Sequence, residues 1–149
     1  MISESNDSSS PTSPGGARQL LSSICVVFVL GAIVELFLAG LGVFETERVA
    51  TRSGSTLTRH AFDSNFDPHI VLGDVLAVVT IAVVLVALLG RLERRIKLMS
   101  ASLLAVIAIQ AALADSGPPA LRALHPVLGV VALGLGVHLA LATRAARSG

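Results

Sequence analysis

The chain has 149 residues, of which 53% are hydrophobic and only 14% charged, and its mean hydropathy is +0.80. Ordinary soluble domains carry about 25% charged residues, so this composition argues against a water-soluble fold. A formal net charge of +1 offers no basic face for nucleic acid. Cys25 is the only cysteine and sits inside an apolar run, which leaves neither a disulfide framework nor a cysteine metal site. Among eleven basic residues only Lys97 is a lysine, and with the heavy use of Ala, Val and Leu this usage points to a GC-rich bacterial genome.

Residues 1–19 are polar and rich in Ser and Pro. Such a segment buries too little apolar area to offset its ordering entropy, so a disordered cytoplasmic tail is expected. A signal peptide is not: the tail is acidic before Arg18, and the apolar stretch after it is too long for an h-region. The first span covers about residues 20–44, enough for a bilayer core that needs roughly 20 helical residues. Small residues near its end, Gly40 and Gly42, let a neighbouring helix come close.

A polar loop follows over residues 45–68, with a turn expected at Ser53-Gly54-Ser55. Asp67 suits an N-cap and Pro68 the first helical position, which starts the second span at about 69–90. Arg91 to Lys97 form a basic connector. The third span covers about 98–114, Asp115 to Pro119 break it, and the fourth covers about 125–142 before a basic tail at 143–149. Short connectors imply antiparallel neighbours, so the expected fold is all-α: a transmembrane four-helix bundle running up-down-up-down. With both termini inside, that side holds Arg18, Arg91, Arg94, Arg95, Lys97, Arg144 and Arg147, against Arg48, Arg52, Arg59 and Arg122 outside. The bias predicts a multi-pass protein of the bacterial inner membrane, N-in and C-in.

Two stretches carry the chemistry. His69-Ile70-Val71-Leu72-Gly73 and His125-Pro126-Val127-Leu128-Gly129 share the pattern His-x-Val-Leu-Gly at the start of an apolar run. In an up-down bundle the second and fourth helices face each other diagonally, so both histidines enter at one depth from the outer face. Two opposed imidazoles with small residues beneath them are what a b-type haem requires, and axial histidine is a common haem ligand. Tight helix packing asks for the same small residues. Arg48, Arg52, Arg59 and Arg122 are placed to meet haem propionates. Pro126 biases His125 away from helical geometry, which leaves its phase open.

His138 lies thirteen residues beyond His125, about 20 Å deeper and on nearly the opposite face. Ionisable groups inside a span are costly and mark functional candidates. Glu35, Asp74 and Gln110 are expected in the outer half of the bundle beside the histidines, as a proton- or quinone-linked cluster or as helix-to-helix hydrogen bonds. No phosphate loop, metal-spaced cysteine pair or nucleophile elbow is present, so the chain is read as more plausibly a non-enzyme.

The segments FLAGLGVFE (37–45), HIVLGDV (69–75) and LHPVLGVVALGLGVHLALA (124–142) resemble an uncharacterised family of small four-span bacterial membrane proteins. That resemblance implies the bundle and supplies no activity. More distantly, the layout resembles one half of haem A synthase and other four-helix b-type cytochromes. It implies histidines on the second and fourth helices holding haem near the outer face. His69 matches the second-helix position; on the fourth, His138 matches by local sequence and His125 by depth. Ile70 follows His69, so the synthase's His-Arg pair is missing. The expectation is thus a membrane protein binding b-type haem or a quinone, with His69 and His125 on the haem iron. The competing readings are an accessory subunit of a membrane complex, partnered by other subunits or by itself, and a small proton-coupled transporter.

Overall fold

The computed structural model describes residues 14–53, 59–115 and 119–145, and among these every long element is an α-helix. Helix α1 spans Pro14–Ser53, α2 Arg59–Leu89, α3 Arg94–Asp115 and α5 His125–Ala145, with a single short turn of helix, α4, at Pro119–Arg122. Four segments are long and apolar enough to cross a membrane: Gly15–Thr51, Ser64–Leu89, Arg94–Ala114 and Ala120–Arg144. Only 17% to 28% of each segment's most apolar window is buried within the bundle. The remaining apolar surface needs lipid around it, and the chain is an integral membrane protein.

A single spacing builds all four helix interfaces. Leu21, Cys25, Phe28, Ala32, Glu35, Ala39 and Gly42 alternate steps of four and three along α1. His69, Gly73, Leu76, Thr80, Val83 and Ala87 do so along α2, and Ile96, Ser100, Leu103, Ile107 and Gln110 along α3. On α5 the series is His125, Gly129, Ala132, Gly136, Leu139 and Thr143. Steps of four and three keep one seam facing the bundle axis. Helix α1 packs on α2 and α5, and α3 packs on the same two, so α2 and α5 are diagonal, as the up-down order requires.

The seam is most fully buried at one end. Leu21, Cys25, Phe28, Val83, Ala87, Leu103 and Leu139 are fully buried there. A Cβ on Gly136 would lie 2.7 Å from the Phe28 ring, so α1 and α5 touch closely where that glycine is. Two buried hydroxyls are satisfied within their own helices: Thr80 donates to the Ala77 carbonyl (2.7 Å) and Thr143 to that of Leu139 (2.8 Å). At the same end Arg18 pairs with Glu93, and Arg144 Nε donates to Ser22 Oγ at 3.2 Å. These contacts bring the start of α1, the α2–α3 connector and the end of α5 together.

The connector itself is a Schellman-type helix end. Leu92 N–H donates to the Ala87 carbonyl and Arg91 N–H to that of Leu88, both at 3.1 Å, with Leu92 buried. The left-handed residue is Arg91 (φ 51°), although Gly90 stands beside it. Gly90 is taken up by packing, since a Cβ there would collide with Ala17 of α1.

Several element boundaries differ from the sequence expectation. Helix α1 starts at Pro14 and continues to Ser53, and α2 starts at Arg59, so residues 14–19 and both flanks of the 45–68 segment are helical. Pro68 lies inside α2 instead of opening it. The extra turns persist because the two helices support each other there: Asn65 Nδ2 donates to Thr46 Oγ1 (3.3 Å), and the Phe66 ring lies against Gly42. At 1.5 Å per residue the 40 residues of α1 reach about 60 Å, twice a hydrocarbon core of about 30 Å. Residues 1–13, the turn at Gly54-Ser55, Ser116 to Pro118 and the last residues with Arg147 lie outside the described residues.

Candidate functional site

At the loose end of the seam, the four inward positions are Glu35, His69, Gln110 and His125, one from each long helix. His69 Nδ1 lies 2.9 Å from Glu35 Oε1, with side chains only 19% and 13% exposed. The ring N–H is not aligned with that oxygen, so the contact is electrostatic in character. His125 Nδ1 stands 3.0 Å from the Gln110 backbone carbonyl. A carbonyl only accepts, so Nδ1 of His125 carries the hydrogen and Nε2 is its free nitrogen. The two imidazoles meet edge to face, centroids 6.0 Å apart and planes at 83°. Phe66 flanks His69 on another side, at 6.2 Å.

The glycine four residues after each histidine has a specific task. A Cβ on Gly73 would lie 3.0 Å from Glu35 Oε1, and one on Gly129 would lie 3.3 Å from Gln110 Nε2. Each glycine therefore makes room for the polar side chain arriving from the preceding long helix. The repeated His-x-Val-Leu-Gly motif is the trace of two equivalent hairpins: α1–α2 brings Glu35 to His69 and Gly73, and α3–α5 brings Gln110 to His125 and Gly129.

Between these groups lies a cavity of about 220 Å³. Its walls are apolar, including Phe28, Ala32, Leu76 and Ala132, and its polar groups are those of Glu35, His69, Gln110 and His125. Leu36, Val43 and Pro126 also line it and are exposed, so it reaches the lipid-facing surface of the bundle. At the cavity two buried oxygens, Glu35 Oε2 and Gln110 Oε1, have no hydrogen-bond partner, and His69 Nδ1 makes no aligned hydrogen bond. Buried polar atoms normally have one, so the cavity presents acceptors that lack a donor.

The room expected for a porphyrin beneath each histidine is occupied by Glu35 and Gln110. The volume is also below the roughly 300–1,000 Å³ usual for pockets holding drug-sized ligands. A whole haem does not fit the cavity in this conformation. Among the described residues, no group of three or more His, Cys, Asp or Glu is arranged to hold a metal ion.

The other residues singled out from sequence fall elsewhere. His138 is exposed at the opposite end, beside Arg95, and takes no part in this site. Asp74 is exposed on the outside of α2, one helical step of about 100° beyond Gly73, and does not join the cluster. Arg48 is exposed and pairs with Glu45 along its own helix (3.1 Å), and Arg122 is exposed on α4. The side chains of Arg52 and Arg59 lie outside the described ones. Pro126 leaves His125 pointing inward because it falls in the first turn of α5, where a missing N–H costs no helical bond. Phe66 has no motif that marks it in the sequence; its spacing of three residues before His69 puts it on the same seam.

Residues 35–120 match the model of a family of unknown function, DUF6220. The chain belongs to that family. The match takes in Glu35, His69, Gly73 and Gln110 and ends before His125. No curated protein and no solved structure matches the chain. The likeness to haem A synthase and b-type cytochromes therefore rests on the sequence motifs alone.

Proposed function

We propose that this DUF6220 protein binds the head group of a membrane-soluble quinol in the cavity between Glu35–His69 and Gln110–His125. The observation that carries the proposal is the pair of partnerless buried acceptors, Glu35 Oε2 and Gln110 Oε1, at an apolar cavity reaching the lipid surface. A quinol supplies what is missing there: hydroxyl donors on a flat apolar ring, arriving through the bilayer. Convergent polar groups on an apolar pocket are the usual form of a small-molecule site. Positive charge favours the opposite end of the bundle, which supports an outward-facing cavity with both termini inside.

One observation favours b-type haem instead. His69 and His125 come from diagonal helices and stand with ring centroids 6.0 Å apart at the cavity. Metal-bound histidines also commonly hold their second nitrogen against a carboxylate or carbonyl, as Glu35 and Gln110 do here. Haem binding would require both of those side chains to withdraw from Gly73 and Gly129.

The deciding experiment is purification in mild detergent, followed by visible spectra, solvent extraction for quinones, and titration with a short-tailed benzoquinol. Saturable binding that Glu35→Ala and His125→Ala each abolish is the expected result. A Soret band that shifts on reduction, and disappears in His69→Ala and His125→Ala, would establish haem in its place. A colourless, quinol-indifferent protein with intact helical circular dichroism would overturn both and favour an accessory subunit.

A further inference from the structure

We propose that Arg95 and His138 form a binding site for the phosphate of an anionic phospholipid, at the end of the bundle remote from the cavity. His138 lies on the exposed flank of α5, while its neighbours Leu139 and Ala140 are buried. An ionisable side chain facing lipid is retained when it finds a polar partner. The partner here is Arg95 of α3, whose Nη2 is 3.5 Å from His138 Nε2. A guanidinium only donates, so the imidazole must accept along a contact at the outer limit of a hydrogen bond. The two side chains are held close without a strong bond between them.

The surrounding charge is one-sided. Arg91, Arg94 and Arg95 are exposed and Lys97 is half-buried, and none of the four has a carboxylate partner among the described residues. Glu93, the acid of the connector, is engaged by Arg18. An anion placed between Arg95 and His138 would accept from the Arg95 guanidinium, and from His138 once its Nε2 carries a hydrogen, and would neutralise this surplus. At the end of a membrane-spanning bundle the available anion is a lipid phosphate, and a basic groove between two packed helices is a known form of lipid site. Arginine also matches phosphate geometry better than lysine does. A zwitterionic lipid carries its own ammonium and leaves the surplus in place, so the occupant is an anionic lipid.

Native mass spectrometry of the full chain, released from micelles containing equal phosphatidylglycerol and phosphatidylcholine, tests the site. Phosphatidylglycerol should be retained preferentially, and Arg95→Gln should lower that retention about fivefold, the effect of one basic residue near a membrane surface. His138→Leu should lower it as well, and Arg48→Gln at the other end should not. Circular dichroism of each variant confirms that the bundle is intact. Equal retention of the two lipids would overturn the proposal, as would undiminished preference in the Arg95→Gln/His138→Leu double variant. An Arg91→Gln variant that loses as much as Arg95→Gln would overturn it too, because the effect would then belong to a diffuse basic rim.

Discussion

Gln110 occupies in the α3–α5 hairpin the position that Glu35 occupies in the α1–α2 hairpin. Each is on the first helix of its pair, beside the histidine of the second helix and over the glycine four residues further on. The equivalence is of position and not of chemistry: Glu35 meets its histidine through the carboxylate, Gln110 through the backbone carbonyl. One half of the cavity therefore carries a carboxylate and the other an amide.

Removing one partner of the Glu35–His69 pair should cost more than removing both. Glu35→Leu leaves the buried His69 imidazole without its neighbouring carboxylate, a loss of about 1–3 kcal/mol. Glu35→Gln keeps an oxygen in place and should cost less. The Glu35→Leu/His69→Leu double variant leaves no unpaired group and should be more stable than Glu35→Leu alone. Reversible unfolding in mixed detergent micelles measures all three; simple additivity would mean that the two side chains do not interact.

Glycines with and without neighbours should separate cleanly. Gly73→Val pushes into Glu35, and overpacking of this kind costs about 1–3 kcal/mol. A methyl group on Gly134 would meet nothing within 4 Å, so Gly134→Ala should gain up to about 1 kcal/mol from helix propensity. Thermal denaturation in detergent should rank Gly134→Ala above the native chain and Gly73→Val below it.

The α2–α3 connector makes a paired forecast. Arg91 holds a left-handed backbone that costs a side-chain-bearing residue about 1–2 kcal/mol, so Arg91→Gly should raise stability by about that amount. Gly90→Ala should lower it, since the added methyl collides with Ala17. Denaturation midpoints of the two variants should move in opposite directions.

Cys25 reports on the closed end of the bundle. Its side chain is fully buried beside Phe28 and Leu21. A membrane-permeant maleimide should leave it unmodified in the folded protein and label it after unfolding in dodecyl sulfate. Rapid labelling of the folded protein would mean that the seam between Leu21 and Ala32 is open.

The helices are legible in the sequence because apolar runs near 20 residues have few other uses. Their ends are not. Asp67-Pro68 carries the local signature of a helix start, yet α2 continues through it, held by Asn65 to Thr46 and Phe66 to Gly42 across the hairpin. Those are tertiary contacts that local capping rules do not contain. The pairing of His69 with His125 can be anticipated from their matched motif and equal depth, and Glu35 and Gln110 from their cost inside a span. Asp74 and His138 share that cost but lie off the four-three seam, and this is why they fall outside the site. The glycines differ from expectation in one respect. They are small because a neighbouring polar side chain fills the space, so smallness does not signify room.

Nitrogen-15 NMR of the histidine-labelled protein, before and after addition of a short-tailed benzoquinol, tests the central claim most directly. The spectrum holds four histidine rings; in the two assigned to His69 and His125 by substitution, Nδ1 carries the hydrogen and the Nε2 signals move together as the quinol binds. His138 should not respond. Rings that carry their hydrogen on Nε2, or Nε2 signals at both positions indifferent to saturating quinol, would contradict it.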